Sequence, residues 1–101
     1  MISWLKGQKV DIWRLGSRQG IVIACEGVGY EVQLLPKYLL NLDKTNCLTI
    51  WVHQVQREDG YTLFGFQEKA ERDLFRVLVS VSGVGPQIAI GLLEQLSVTK
   101  L

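Results

Sequence analysis

The sequence predicts an α+β fold: a five-stranded, OB-like β-barrel followed by a helix–hairpin–helix. Three features predict it. Apolar residues recur with a period of two through residues 1–67 and with a period of about 3.6 from Gln67-Glu68-Lys69-Ala70 onward. The apolar runs of the first part are short and separated by glycine-rich turns. The second part places Gly83-Val84-Gly85-Pro86 between two segments of helical period. The change of period sets a domain boundary near residue 67 with almost no linker. Residues 1–67 then form the barrel domain and residues 68–101 the helical element.

The strands follow in order. Val10, Ile12, Trp13 and Leu15 form the first run, which breaks at Gly16-Ser17-Arg18-Gln19-Gly20. Ile21-Val22-Ile23-Ala24-Cys25 is a short, wholly apolar strand, and Glu26-Gly27-Val28-Gly29 turns the chain. Tyr30-Glu31-Val32-Gln33-Leu34 alternates as a half-buried strand does. Pro36-Lys37-Tyr38-Leu39-Leu40 opens on a proline suited to the first position of a helix and predicts a single turn. Leu48 to Gln56 is a long strand, Asp59-Gly60 its type I′ hairpin turn, and Tyr61 to Phe66 the returning partner. Five strands with one short helix fit a closed barrel better than a sandwich, because an open sheet leaves edges exposed.

Glu68 and Glu71 stand where acids favour a helix N-terminus. Leu74, Phe75, Leu78 and Val81 make one helical apolar face, Ile88, Ala89, Leu92, Leu93 and Leu96 a second, with Val84 as a plug between them. Gly83 and Gly85 permit a tight hairpin and close approach of another molecule to the backbone. Pro86 suits the first position of the second helix, where no N–H is missed. Several N–H groups are left unpaired there, with the positive end of the helix dipole behind them. That makes an anion site out of backbone rather than lysine. Two readings stand together: a helix–hairpin–helix that grips the DNA backbone without reading sequence, and a tight turn joining two packed helices.

Composition narrows the function. Of 101 residues 48% are hydrophobic and mean hydropathy is +0.16, which excludes disorder. No run approaches the ~20 apolar residues of a membrane span. Met1-Ile2-Ser3-Trp4-Leu5-Lys6 lacks a signal peptide's long apolar core, which predicts a cytoplasmic protein. Cys25 and Cys47 stand singly in strand-like runs and read as reduced core residues, with no metal site. Net charge is +1. DNA would therefore be held by placed contacts, not by bulk charge. Glu58 and Asp59 at the predicted hairpin tip read, on their own, as a solubilising turn. His53 has no ligand partner nearby. No G-x-x-x-x-G-K phosphate loop and no cluster of carboxylates occurs, so neither nucleotide hydrolysis nor a two-metal nuclease is expected, and no cofactor. Ser97 reads as the cap of a helix only begun at Ser97-Val98-Thr99-Lys100-Leu101, so the chain end looks cut.

Met1-Ile2 with Leu5-Lys6-Gly7, Gly27-Val28-Gly29-Tyr30-Glu31-Val32, Arg57-Glu58-Asp59, Leu63-Phe64-Gly65-Phe66, Glu71-Arg72 with Leu74-Phe75, and Ser82-Gly83-Val84-Gly85-Pro86 follow one another along the chain. Together these ordered motifs resemble the RuvA family of Holliday-junction-binding subunits. The resemblance implies a barrel domain, a middle domain with two helix–hairpin–helix elements, of which this chain covers the first, and a motor-binding C-terminal domain absent here. It implies a non-catalytic scaffold for recombination and DNA repair that holds four-way junction DNA. Partners would be further copies in a homotetramer, in some members paired into an octamer, the RuvB motor that hydrolyses ATP, and the RuvC resolvase. Ser82, Gly83, Val84, Gly85 and Gln87 would bind DNA. Arg72 and Arg76, four apart on one helical face, would either support DNA or pair with Glu68, Glu71 or Asp73. Glu58 and Asp59 would form an acidic pin that repels phosphates at the crossover. Gln87 departs from the family, which often has lysine after the proline, so one charge contact per subunit is lost. Ser3 and Trp4 stand where glycine and arginine are usual. Trp4, Trp13 and Trp51 offer stacking platforms or packing. Two alternatives remain: an OB-type single-strand binder, and an oligomerisation core without useful DNA affinity.

Overall fold

The computed structural model describes residues 1–40, 42 and 47–96; the reading of Ser97 as a cap lies outside them. Strands β1 (Trp4–Leu15), β2 (Arg18–Cys25), β3 (Val28–Leu34), β4 (Cys47–Arg57) and β5 (Gly60–Phe66) close into a barrel in the order β1-β2-β3-β5-β4. One short helix, α1 (Pro36–Leu40), follows β3, and two longer ones, α2 (Lys69–Val79) and α3 (Pro86–Gln95), follow β5. Neighbouring strands are antiparallel except β3 and β5, which run parallel with Val32 opposite Leu63. This is the predicted OB-like barrel followed by helices.

The period-2 pattern has a direct physical result. Ile21, Ile23, Val32, Leu34, Ile50 and Val52 alternate along β2, β3 and β4 and meet inside the barrel, all at 0% exposure. Each contributes about 1.5–3 kcal/mol by leaving water. Gly65 is the inward residue of β5 between them. A methyl group there would fall 2.6 Å from Val32 and 2.7 Å from Ile50, so only glycine closes the barrel at that point.

The first apolar run behaves differently. Val10, Ile12 and Leu15 are 60%, 48% and 65% exposed. Among the described residues β1 pairs with β4 as far as Gln8, shifts register between Lys9 and Asp11, and continues along β2. The side chains of its far half lie largely outside the barrel interior. Cys47 is likewise exposed, not a core residue, while Cys25 is half-buried; both are free thiols.

The outer face of β4, β5 and β3 is the second packing surface. β5 is buried at four consecutive positions, Leu63 to Phe66, as a strand covered on both faces must be. Phe64 and Phe66 point outward and are covered by Phe75 of α2, with ring centroids 5.2 and 5.0 Å apart. Phe75 is itself fully buried, and Ala89, Ile90 and Leu93 of α3 join the same continuous core. Glu71 lies in the first turn of α2, as expected. Its carboxylate accepts the Glu68 N–H at 3.3 Å, satisfying one of the orphan donors of the first turn. On α3 the buried face is Ala89, Ile90 and Leu93, whereas Ile88 and Leu92 are 55% and 44% exposed.

Two hairpins differ in kind. Glu26 and Gly27 have φ of +49° and +87°, the two positive values of a type I′ turn. Between β4 and β5, Arg57 pairs with Gly60 and the loop is Glu58–Asp59, with positive φ at Gly60 alone. The expected Asp59-Gly60 type I′ turn is thus replaced by one whose two central residues are both acids, and Gly60 takes φ of +144° where a side chain would strain.

Candidate nucleic-acid interface

The glycine hairpin is built from the end of α2. Ser80 Oγ donates to the Val77 carbonyl at 2.6 Å and the Val81 N–H to the Leu78 carbonyl at 3.1 Å, so the last turn of α2 is satisfied internally. Val81 to Val84 then form a turn closed by the Val84 N–H on the Val81 carbonyl at 3.1 Å. Gly83, at its third position, has φ of +88°, as a type II turn requires. Gly85 caps α3 with ordinary extended dihedrals, φ −84° and ψ 173°, and Pro86 follows at the first helical position. The Ala89 N–H returns to the Gly85 carbonyl at 3.0 Å. Among the described residues the N–H groups of Gly83, Gly85 and Gln87 have no hydrogen-bond partner. Ser82 and Gly83 are exposed, and Val84 is half-buried against the core. No charged side chain occurs from Ser80 to Gly91. Attraction for an anion here would come from backbone dipoles alone.

Gln87 is exposed, but its amide is taken up within the molecule. It forms a reciprocal pair with Gln33 of β3: Gln33 Nε2 donates to Gln87 Oε1 at 3.0 Å and Gln87 Nε2 to Gln33 Oε1 at 3.3 Å. Arg72 is 6% exposed. Its guanidinium donates to the Ser3 carbonyl at 3.0 Å, pairs with Asp73 at 3.1 Å and lies 5.0 Å over the Trp51 ring. These contacts fasten α2 to the barrel, and of the two expectations for Arg72 the pairing with Asp73 is formed. Arg76 is half-buried and donates from Nε to His53 Nδ1 at 3.1 Å. Lys69 and Asp73 form an exposed i,i+4 ion pair at 2.8 Å, and with Arg72 beside it Asp73 is held below the usual carboxylate range.

His53, given no role from sequence, is the acceptor of that Arg76 bond and packs edge-on to Phe75 at 5.6 Å. Its pKa is lowered, first by burial and then by the Arg76 and Arg72 charges. Acceptance at Nδ1 requires the neutral ring with its proton on Nε2.

Glu58 and Asp59 are exposed at the tip of the β4–β5 hairpin, and among the described residues neither joins an ion pair. Both side chains face solvent at the hairpin tip. Of the tryptophans, Trp51 packs under Arg72, Trp13 donates from its indole to the Ile21 carbonyl at 3.2 Å, and Trp4 is 46% exposed. A groove of about 400 Å³ opens where the first halves of β3 and β5 diverge, lined by Trp13, Arg18, Tyr30, Glu31 and Tyr61 among others. Nothing in local sequence pattern signals it, because it arises from the parallel β3–β5 pairing that begins only at Val32 and Leu63.

Known proteins give a consistent likeness. Residues 1–65 match the family described as RuvA N terminal domain. The chain is 56% identical over 101 residues to the Holliday junction branch migration complex subunit RuvA of Synechococcus sp. (strain CC9311), covering 100% of this chain and 46% of that protein. It is 58% identical over 96 residues to the protein of the same name in Prochlorococcus marinus (strain MIT 9313), covering 94% and 43%. A third, from Prochlorococcus marinus (strain MIT 9211), is 57% identical over 101 residues, covering 100% and 45%. The chain therefore spans less than half the length of these relatives.

Proposed function

The chain belongs to the RuvA family, and from that premise we propose that it binds four-way junction DNA as part of a non-catalytic branch-migration scaffold. Residues 68–96 act as a helix–hairpin–helix whose backbone holds one phosphate of a duplex arm. The observation that supports this is the exposed hairpin, with unpartnered N–H groups at Gly83, Gly85 and Gln87 in the turn and first residues leading into a ten-residue helix. Glu58 and Asp59 act as an acidic pin. Uncompensated carboxylates near phosphates repel them, and the effect grows as water is excluded. Four copies around a crossover would keep the strands apart and penalise ligands that are not branched. Assembly as a tetramer or octamer, hand-over of ATP-driven work to RuvB, resolution by RuvC and a cytoplasmic setting are parts of the same reading. No helix among the described residues is long and apolar enough to cross a membrane.

Gly85 gives the sharpest test. Its φ is ordinary, and a Cβ there meets nothing within 4 Å. Gly85→Val should therefore cost only about 1 kcal/mol as a poorer cap, yet set a branched side chain in front of the free N–H groups. Fluorescence anisotropy with a labelled junction should show affinity falling at least tenfold while the fold is kept. Unchanged affinity would contradict a backbone grip. A second reading, single-strand binding, is favoured by the aromatic groove at Trp13, Tyr30 and Tyr61 beside Arg18. It predicts that Tyr61→Ala weakens oligonucleotide binding while Gly85→Val does not.

A further inference from the structure

We infer that Gln33 is a positioning residue: its amide pair with Gln87 is a latch that fixes the direction in which the hairpin presents its free N–H groups. The inference rests on the reading of that hairpin as a phosphate site. Gln33 lies on the outward face of β3, opposite Phe64 of β5, and is 3% exposed beneath α3. A buried amide left unpaired is costly, whereas here both its oxygen and its nitrogen are used, at 3.3 and 3.0 Å. Its partner is the second residue of α3, whose own backbone N–H is among the unpartnered ones. The latch thus grips the residue that carries part of the site.

The other end of α3 is fastened too. Lys37 Nζ donates to the Leu93 carbonyl at 3.0 Å and to the Leu96 carbonyl, and the Lys37 N–H donates to Glu94 Oε2 at 3.2 Å. The same ammonium lies 3.7 Å from Glu71 on α2. A ten-residue helix is about 15 Å long, and one bound near both ends to the β3–α1 segment has little freedom to swing. A single hairpin can follow the phosphates of a linear duplex at any tilt. A junction fixes the angle between its arms, so only a hairpin of fixed direction gains from it. Gln87 accordingly serves geometry where lysine would serve charge, and the latch acts on selectivity more than on grip.

The test uses the 101-residue chain and the variant Gln33→Leu with Gln87→Leu, which removes both amides and leaves neither unpaired. Two readouts are needed: residual dipolar couplings of backbone amides, and affinity for a four-way junction beside linear duplex. In the starting chain, barrel and α3 should share one alignment. In the variant α3 should depart from it, and the junction-to-duplex affinity ratio should fall about tenfold, as expected for coupled sites. A common alignment in the variant overturns the latch. An unchanged ratio in a chain that prefers junctions overturns its role in selectivity. Should the starting chain bind no DNA, the phosphate reading of the hairpin fails, and the latch stands or falls on the alignment alone.

Discussion

At the residue scale, Glu26, His53 and the Glu58-Asp59 pair each make a prediction. Glu26 holds φ of +49° in a type I′ turn that asparagine or glycine adopts more readily. Relief of a left-handed non-glycine residue is worth about 1 kcal/mol. Glu26→Asn should therefore raise the thermal midpoint by roughly 4–8 °C in a domain of this size, measured by circular dichroism. His53 is held neutral by burial and by Arg76 and Arg72, so the folded chain binds its proton less readily than the unfolded chain does. Its contribution to stability is then present in full above the ordinary value of 6.5 and is lost as pH falls below it. Denaturant midpoints should decline from pH 7 to pH 5, and His53→Asn, whose Oδ1 accepts as Nδ1 does without titrating, should flatten that decline. Glu58 and Asp59, as the proposed acidic pin, bear on DNA binding. Two unit charges 4 Å apart in water repel by about 1 kcal/mol. Removing both carboxylates with Glu58→Gln and Asp59→Asn should tighten junction binding several-fold, most at low salt. Unchanged or weaker binding in the same titration would count against a repulsive pin.

At the element scale, the helices are held to the barrel by one aromatic contact above all. Phe75 touches Phe64, Phe66 and His53. Phe75→Ala should cost about 3–5 kcal/mol, a large part of the stability of a small domain. Hydrogen exchange of α2 and α3 amides should rise well above that of β2 and β3, whose own core is untouched. The same elements show what sequence reveals and what it hides. The barrel strands are legible because alternation follows from the pleat: Ile21 and Ile23, Val32 and Leu34, Ile50 and Val52 can only face one way together. The hairpin glycines are legible because Gly83 and Pro86 meet backbone demands that few other residues meet. Gln33 is not legible. At an outward strand position a glutamine reads as solvated, and only the placement of α3 over β3 buries it. Arg72 misleads for the same reason: helical spacing pairs it with Arg76, but Trp51 and the Ser3 carbonyl, far away in sequence, take its charge. The tip turn misleads by one residue, because Gly60 serves as the first residue of β5 while both acids form the loop.

At the scale of the whole molecule, barrel and helices share one hydrophobic core and several polar ties, so hairpin and acidic tip are carried on one frame. Under the proposed function that arrangement would serve recognition of a branched shape rather than of sequence or bulk charge, in keeping with a net charge of only +1. The few phosphate contacts proposed per chain would give a shallow salt dependence, about one unit of slope for each contact. The most direct measurement is the affinity of the chain for a synthetic four-way junction, beside linear duplex and single strand of the same sequence, at two salt concentrations. The account predicts tighter binding to the junction at both, with a preference that survives added salt because it is geometric. Equal affinity for junction and duplex, or a preference for the single strand, would contradict it.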